Sequence, residues 1–228
     1  MKNTVQQICA VLLFATLLTS NAFALTVIPV DTDKAFSDEI IEAETVSDWA
    51  KDGVQAARAA NLIPALTGDP GYQDAITREQ FAELAVQMVT VALGKAPDGS
   101  CALTFADCSN EKVRLASAAG IVAGVGYEKF APKQTTNREQ IATMVARAID
   151  YIAAESSVNL APVSADISKF TDKGEVSSWA VEGVGILAAN GIMTGTSATT
   201  LSPKVSCTVE QSILLLYRVY AAYVETQR

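Results

Sequence analysis

Arg78 and Arg138 lie at equivalent places in two similar stretches of the chain, each just after a predicted helix start. A guanidinium presents a planar fork of N–H donors that suits a carboxylate. The first turn of a helix adds free backbone N–H groups and the positive end of the helix dipole. These positions therefore predict an anion-binding site, with structural ion pairing as the alternative. A third similar stretch has Val209 instead, so we expect the third site to be weak or purely structural.

Three capped helices must position these residues. Thr77, Asn137 and Thr208 each precede a Gln by three residues, which is the capping-box arrangement. An apolar pattern with helical spacing follows each cap. The sequence therefore predicts three similar amphipathic helices that begin at these caps.

A shorter Ala-rich helix is predicted upstream of each cap, over residues 46–61, 110–119 and 176–190. Each ends at an Asn or Gly, which suits a left-handed helix terminus. Loops rich in Gly and Pro connect the short and long helices, over residues 64–76, 123–136 and 194–207. Gly124 and Gly195 are expected to serve turn geometry first, and close approach of the backbone to a ligand second.

A Phe-x-Asp motif precedes each short helix, ending at Asp38, Asp107 and Asp172. We expect these carboxylates to accept backbone hydrogen bonds where the helices begin. Trp49 and Trp179 follow in the first and third copies, either as core residues or as flat faces for a sugar ring. Counting back from Gly120 puts Cys108 at the tryptophan position of the second copy.

One helix pair of this size cannot bury its apolar faces alone, so the three units should pack on one another. The predicted fold is mainly α, with repeats over residues 25–95, 96–155 and 156–228. Residues 1–24 are predicted to be a cleaved secretory signal, with an uncleaved membrane anchor as the alternative: they combine Lys2, a short apolar run and an Ala-x-Ala site. No later stretch is apolar for long enough to cross a bilayer.

The chain carries a formal net charge of −8 and contains no His. The acidic balance disfavours nucleic acid as a partner. The absence of His removes the commonest general base, the usual zinc ligand and the Ser-His-Asp triad, and the sequence predicts neither metal nor cofactor. Cys101 and Cys108 either form a disulfide in an oxidising compartment or stay free thiols. Cys207 is expected to be a small packing residue.

The repeated unit resembles the S-layer homology (SLH) motif. That motif combines Phe-x-Asp, Trp-Ala, Gly-Ile, a Gly-rich loop with Pro, and Thr-Arg-x-Glu. The residues that carry the resemblance are Ile76-Thr77-Arg78-Glu79 in the first copy, Gly120-Ile121, Gly124, Pro132 and Asn137-Arg138-Glu139 in the second, and Phe170-Thr171-Asp172, Trp179-Ala180, Gly191-Ile192, Gly195 and Pro203 in the third.

The resemblance implies three lobes as a pseudo-trimer around a central helical bundle. It implies a secreted, cell-surface protein of the S-layer type that binds a pyruvylated secondary cell wall polysaccharide. Arg78 and Arg138 would meet the ketal carboxylate in grooves between repeats, beside Trp49, Trp179, Gly124 and Gly195. Val209, the degenerate first loop and Cys108 depart from the pattern, so individual sites are expected to be incomplete.

Two other functions compete with wall anchoring. A degenerate scaffold that binds another envelope protein is favoured slightly by Val209. A wall-acting hydrolase with a carboxylate pair is disfavoured, because almost no sequence lies outside the repeats to form a catalytic domain. The sequence therefore predicts a non-catalytic, carbohydrate-binding module that does not insert into the membrane after the signal is cleaved.

Overall fold

The computed structural model describes residues 46–100 and 102–228, and it is mainly helical. These residues contain isolated β-bridges but no sheet. The prediction of a mainly α fold is therefore confirmed. The helices are α1 (Lys51–Ala59), α2 (Arg78–Leu93), α3 (Glu111–Ala118), α4 (Arg138–Ser156), α5 (Val181–Ala189) and α6 (Val209–Thr226), with a 3-10 helix at Lys173–Glu175.

The long helices α2, α4 and α6 begin at the predicted caps. At α2, the backbone N–H of Gln80 donates to the Thr77 hydroxyl over 3.3 Å, and the Gln80 side chain accepts from the Thr77 backbone N–H over 2.9 Å. The same reciprocal pair forms at Asn137 and at Thr208. All three capping boxes are confirmed.

The short helices α1 and α5 begin at Lys51 and Val181, later than the sequence pattern predicts, whereas α3 begins as predicted, with Asn110 as its cap. Before α1 and α5 the chain makes a turn, closed by hydrogen bonds from Ala50 N to Ser47 O and from Ala180 N to Ser177 O, both 2.8 Å. The predicted left-handed termini are confirmed, with φ of +58° at Asn61 and +71° at both Gly120 and Gly191.

The short helices α3 and α5 each pack mainly on the long helix that precedes them in the chain, α2 and α4 respectively. The first short helix, α1, packs on the last helix, α6. The three long helices also contact one another. The core combines buried side chains of all six helices, including Phe81, Leu84, Met88, Ile141 and Leu187. The expectation that no helix pair buries its own apolar faces is confirmed, since each short helix depends on a neighbouring pair.

Three backbone hydrogen bonds close a ring where the long helices begin. Ile76 N donates to Cys207 O, Cys207 N donates to Thr136 O, and Thr136 N donates to Ile76 O, over 2.9 to 3.0 Å. All three residues are buried. The ring joins segments that are 60 and 71 residues apart in the sequence, and it fixes the starts of α2, α4 and α6 side by side. Cys207 is the packing residue that the sequence predicts.

Candidate functional site

The first backbone N–H groups of the long helices are bonded to a neighbouring loop. Arg78 N donates to Gln134 O over 2.9 Å, and Glu79 N donates to Pro132 O over 3.1 Å. The starts of α4 and α6 are bonded in the same way by the loops around Pro203 and Tyr72. The expectation of free N–H groups at these helix starts is therefore wrong, and any anion must be held by side chains.

Arg78 is buried, at 9% exposure, and its guanidinium holds the loop that precedes α4. Its Nε donates to Phe130 O over 2.8 Å, and its Nη2 donates to Ala123 O over 2.6 Å. The guanidinium carbon lies 4.7 Å from the centre of the Phe130 ring, a cation–π distance. Desolvation lowers the Arg78 pKa, and the charge of Asp107 opposes that shift.

Arg138 makes the equivalent contacts with the loop that precedes α6, at 7% exposure. Its Nε and Nη2 donate to Leu201 O and Thr194 O, both over 2.8 Å. Desolvation lowers the Arg138 pKa as well. Within the described ranges neither Arg78 nor Arg138 forms an ion pair. Their structural partners there are loop carbonyls rather than the acids of the Phe-x-Asp motifs.

The Phe-x-Asp carboxylates hold the loops instead of capping the short helices. Asp107 accepts hydrogen bonds from Phe130 N at 2.8 Å and Ala131 N at 3.0 Å. Asp172 accepts from Leu201 N and Ser202 N. The predicted role at helix starts is wrong for both, because the motif lies across from the Gly/Pro loop of its own unit. Asp38 lies outside the described residues.

Trp49 and Trp179 are exposed, at 61% and 56%. They lie in the turns that precede α1 and α5, so the interpretation of these residues as core is wrong. Gly124 and Gly195 instead pack closely. A Cβ on Gly124 would come within 2.9 Å of Lys129 O, and one on Gly195 would come within 2.4 Å of Ser197 O. This requirement of their own loops agrees with the turn-geometry interpretation.

Two cavities are lined by the arginines that follow the helix caps. The first, cavity A, has a volume of about 190 Å³ and is lined by the Arg78 side chain. The loop before α4 and the side of α4 form its walls, and the turn before α5 lies at its edge. It therefore draws on all three helix pairs. Its lining residues include Arg78, Gly124, Gln140, Thr143, Arg147 and Trp179.

Cavity B has the same plan around Arg138 and a volume of about 370 Å³. Its walls come from the loop before α6 and the side of α6, and the turn before α1 lies at its edge. Its lining residues include Arg138, Thr194, Gly195, Gln211, Arg218 and Trp49. No acidic residue of the described chain lines cavity A or cavity B.

Cavity C lies at the third helix start, where Val209 replaces arginine, and has a volume of about 550 Å³. Its walls combine apolar and polar side chains. Asp69 adds one carboxylate, and Arg58 lines it while donating a hydrogen bond to the Tyr72 hydroxyl. The apolar residues are Ile63, Pro64, Leu66, Val209 and Ile213. Cavity C therefore differs in chemistry from the other two.

Sequence reasoning did not find Arg147 and Arg218, which line cavities A and B. Arg147 lies nine residues after Arg138, and Arg218 lies nine residues after Val209. The equivalent residue of α2, nine residues after Arg78, is Gln87. This spacing was visible in the sequence. Its meaning was not, because each of these arginines meets the helix start of a different pair.

The described cysteines and carboxylates were the other candidates for chemistry. Cys108 and Cys207 are free thiols, and Cys101 lies outside the described residues. Residues 46–100 and 102–228 contain no group of three or more Cys, Asp or Glu placed to hold a metal ion. None of the described helices is long and apolar enough to span a membrane. The predicted signal at residues 1–24 lies outside the described residues.

Comparison with known proteins identifies the class to which part of this chain is similar. The family model of the S-layer homology domain matches residues 169–208. That segment contains Asp172, Trp179, Gly195 and the loop before α6. The S-layer homology domain is a non-catalytic module that anchors proteins to the cell wall, so the match implies attachment at the cell surface. The predicted repeat boundaries at 25–95, 96–155 and 156–228 stay predictions.

The curated relatives are much longer than this chain. Exoglucanase XynX of Acetivibrio thermocellus is 24% identical over 177 residues, which cover 75% of this chain and 15% of the relative. Amylopullulanase of Thermoanaerobacterium thermosulfurigenes is 22% identical over 81% of this chain and 9% of its own length. An endoglucanase of Bacillus sp. (strain KSM-635) is 31% identical over 61% of this chain and 14% of its own length. The chain thus aligns with a small part of each relative.

Proposed function

We propose that this chain is a non-catalytic module that attaches to the cell wall by binding an acidic, pyruvylated polysaccharide in cavities A and B. One observation carries the proposal. Each of these cavities combines a buried guanidinium that has no described carboxylate partner with an exposed tryptophan and walls without acidic residues. A buried cation without an anion is electrostatically unfavourable, and a ligand carboxylate would relieve this.

The tryptophans suit the sugar part of such a ligand. A flat indole offers apolar surface to a pyranose ring, and its exposure leaves that surface free. Trp179 borders cavity A and Trp49 borders cavity B. A carboxylate held beside an aromatic face selects an acidic sugar over both a neutral sugar and a small free anion.

The test is a pull-down of the protein with purified wall sacculi. We expect binding to sacculi that carry the pyruvylated polymer, and loss of binding after mild acid removes the ketal pyruvate. Changing the polymer leaves the protein fold untouched, which substitution of Arg78 or Arg138 would not. Equal binding before and after acid treatment would contradict recognition of the carboxylate, and no binding to untreated sacculi would contradict anchoring.

A second candidate function is an interaction scaffold for another envelope protein. The observation that favours it is cavity C, where Val209 replaces the arginine and Asp69 adds a carboxylate, so that it suits a peptide segment better than an acidic sugar. Ala65→Glu would add a charge at this cavity, at an exposed position. The scaffold requires a protein partner whose binding this substitution weakens while wall binding is unchanged. Wall binding as the sole interaction of the protein would contradict it.

A further inference from the structure

Cavities A and B each contain a second arginine, which approaches from a different helix pair. Arg147 of α4 lines cavity A together with Arg78 of α2. Arg218 of α6 lines cavity B together with Arg138 of α4. Each cavity therefore brings together two guanidinium groups with no acidic residue of the described chain between them.

Arg78 in cavity A and Arg138 in cavity B each use part of their guanidinium donors for structural hydrogen bonds. The Nε and Nη2 donors of Arg78 form its side-on fork, and both are bonded to loop carbonyls. Arg138 has the same two bonds. These bonds hold each guanidinium in place at the wall of its cavity, and they leave only its outer donors for a ligand.

The second arginine has more donors free. Arg147 is exposed, and no hydrogen bond or ion pair joins it to any part of the chain that the structure describes. Arg218 makes one hydrogen bond, from Nη1 to Ile192 O over 2.8 Å, so its Nε and Nη2 side is open. Arg147 can therefore turn its full fork towards an anion, and Arg218 can present most of its own.

The third cavity lacks both members of this arrangement. Val209 occupies the first position, and Gln87, at the position of Arg147 and Arg218, donates to Asn61 O over 2.8 Å. The two arginines thus occur together in cavities A and B and are both missing at the third helix start. Two cations in a cavity of about 190 Å³ repel one another unless an anion lies between them.

We propose that Arg147 and Arg218 contact the acidic group of the ligand directly, and that each forms a clamp with Arg78 or Arg138 across the cavity. This inference rests on the proposed function and names the residues that select a carboxylate-bearing sugar. The first arginine is buried and held by loop carbonyls, and the second offers its free N–H donors to the carboxylate from the opposite side of the cavity. The paired guanidinium groups distinguish an acidic sugar from its neutral counterpart.

The experiment compares Arg147→Gln/Arg218→Gln with the wild type for binding to the purified pyruvylated wall polymer. Glutamine is the residue that the chain itself has at the third equivalent position. Lys112→Gln/Lys129→Gln is the matched control, because it removes the same charge from positions that line neither cavity. Thermal unfolding and circular dichroism establish that both variants fold.

We expect the arginine variant to bind roughly tenfold or more weakly with its unfolding temperature nearly unchanged. The lysine variant should bind within about twofold of the wild type, since surface charge alone acts weakly. If the wild type binds and the arginine variant binds equally well, the clamp is wrong and the proposed function stands. If the wild type fails to bind the polymer, the proposed function itself is wrong.

Discussion

Ser47 and Glu210, which are 163 residues apart, form two hydrogen bonds that join the first described residues to the last helix. The backbone N–H and the hydroxyl of Ser47 donate to the two carboxylate oxygens of Glu210, over 3.0 and 2.8 Å. Ser177 contacts Glu139 in the same way. These glutamates anchor the turns that carry Trp49 and Trp179, so the same bonds support both the fold and the cavity edges.

Glu210→Ala should destabilise the protein because it removes a buried carboxylate and leaves the two half-buried Ser47 donors without their partner. We expect a loss of about 2–4 kcal/mol in the free energy of unfolding, measured by chemical denaturation. Glu210→Gln keeps one acceptor oxygen, so it should cost less than half as much. Equal stability of Glu210→Ala and the wild type would show that this contact does not hold the two ends together.

Arg78→Met should also destabilise the protein, because the carbonyl groups of Phe130 and Ala123 would lose their donor. The expected loss is about 2–4 kcal/mol, measured in the same way. Arg147→Met is the matched control, since Arg147 bonds to nothing else in the described chain, and its stability should be close to that of the wild type. If the two variants lost equal stability, the distinction between a structural and a free arginine would be wrong.

The features that could be predicted from the sequence are those set by neighbouring residues. The Thr77 and Asn137 caps depend on a Gln three residues later, and the left-handed Gly120 depends on a single residue type. The features that could not be predicted depend on distant contacts. Arg78 bonds to Phe130, 52 residues away, and nothing local indicates that partner.

Several residues of the candidate site could be predicted from the sequence, but their grouping into cavities could not. Arg78, Arg138 and the tryptophans were found from their spacing, yet the pairing of Trp49 with Arg138 crosses from the first helix pair to the second. It follows from the packing of α1 on α6, which closes the array. Sequence spacing gives the members of each unit, and only the closed arrangement determines which members share a cavity.

The turn at Tyr127 and Glu128 offers a stabilising substitution. Both residues have positive φ, +50° and +57°, and Lys129 N donates to Gly126 O over 3.0 Å, which is the type I′ hairpin geometry. Asn-Gly suits that turn far better than Tyr-Glu. Tyr127 is also 98% exposed, so its side chain contributes little packing.

Tyr127→Asn/Glu128→Gly should therefore raise the free energy of unfolding by about 1–2 kcal/mol. Thermal unfolding measures the effect. Tyr127→Phe keeps the same backbone demand and should leave stability unchanged. A fall in stability of the Asn-Gly variant would mean that the Tyr127 side chain contributes to the fold.

The loop-holding carboxylates predict a loss of stability in acid. Hydrogen bonds from Phe130 N and Ala131 N lower the pKa of Asp107 below its ordinary value of 3.8, although desolvation opposes them. Desolvation also raises the pKa of Asp172, but hydrogen bonds from Leu201 N and Ser202 N outweigh it, so this pKa is lowered as well. A lowered pKa in the folded state contributes stability that is present above pH 3.8 and is lost as the pH falls through the folded value.

Unfolding temperatures measured from about pH 7 down to about pH 2.5 test this dependence. Asp107→Asn/Asp172→Asn should be less stable than the wild type near neutral pH, and the difference should shrink below pH 3.8. Other carboxylates titrate in both proteins, so the difference between the two curves is the measured quantity. A difference that stays constant across the range would contradict the role of the ionised carboxylates.

Val209→Arg/Gln87→Arg should create a third acidic-sugar site. Arg78 and Arg138 donate to carbonyl groups that lie seven and fourteen residues before the cap of the next long helix. For an arginine at position 209 the corresponding cap is Thr77, at the start of α2, and the corresponding carbonyl groups belong to Pro70 and Ile63. Both residues line cavity C, which at about 550 Å³ has room for an arginine. Gln87 already bonds to the end of α1, as Arg218 does to the end of its own short helix, so this position accepts arginine as well.

Calorimetric titration with the purified pyruvylated polymer fragment measures the number of sites. We expect one additional bound ligand, held more weakly than in cavities A and B because Cys108 stands at the predicted tryptophan position of the second copy. Val209→Leu/Gln87→Glu is the matched control and should leave the number of sites unchanged. An unchanged number in the double arginine variant would mean that two guanidinium groups do not suffice. Either the missing tryptophan or repulsion by the Asp69 carboxylate, which lines cavity C, would then account for the loss, and Asp69→Asn in the same variant would separate the two.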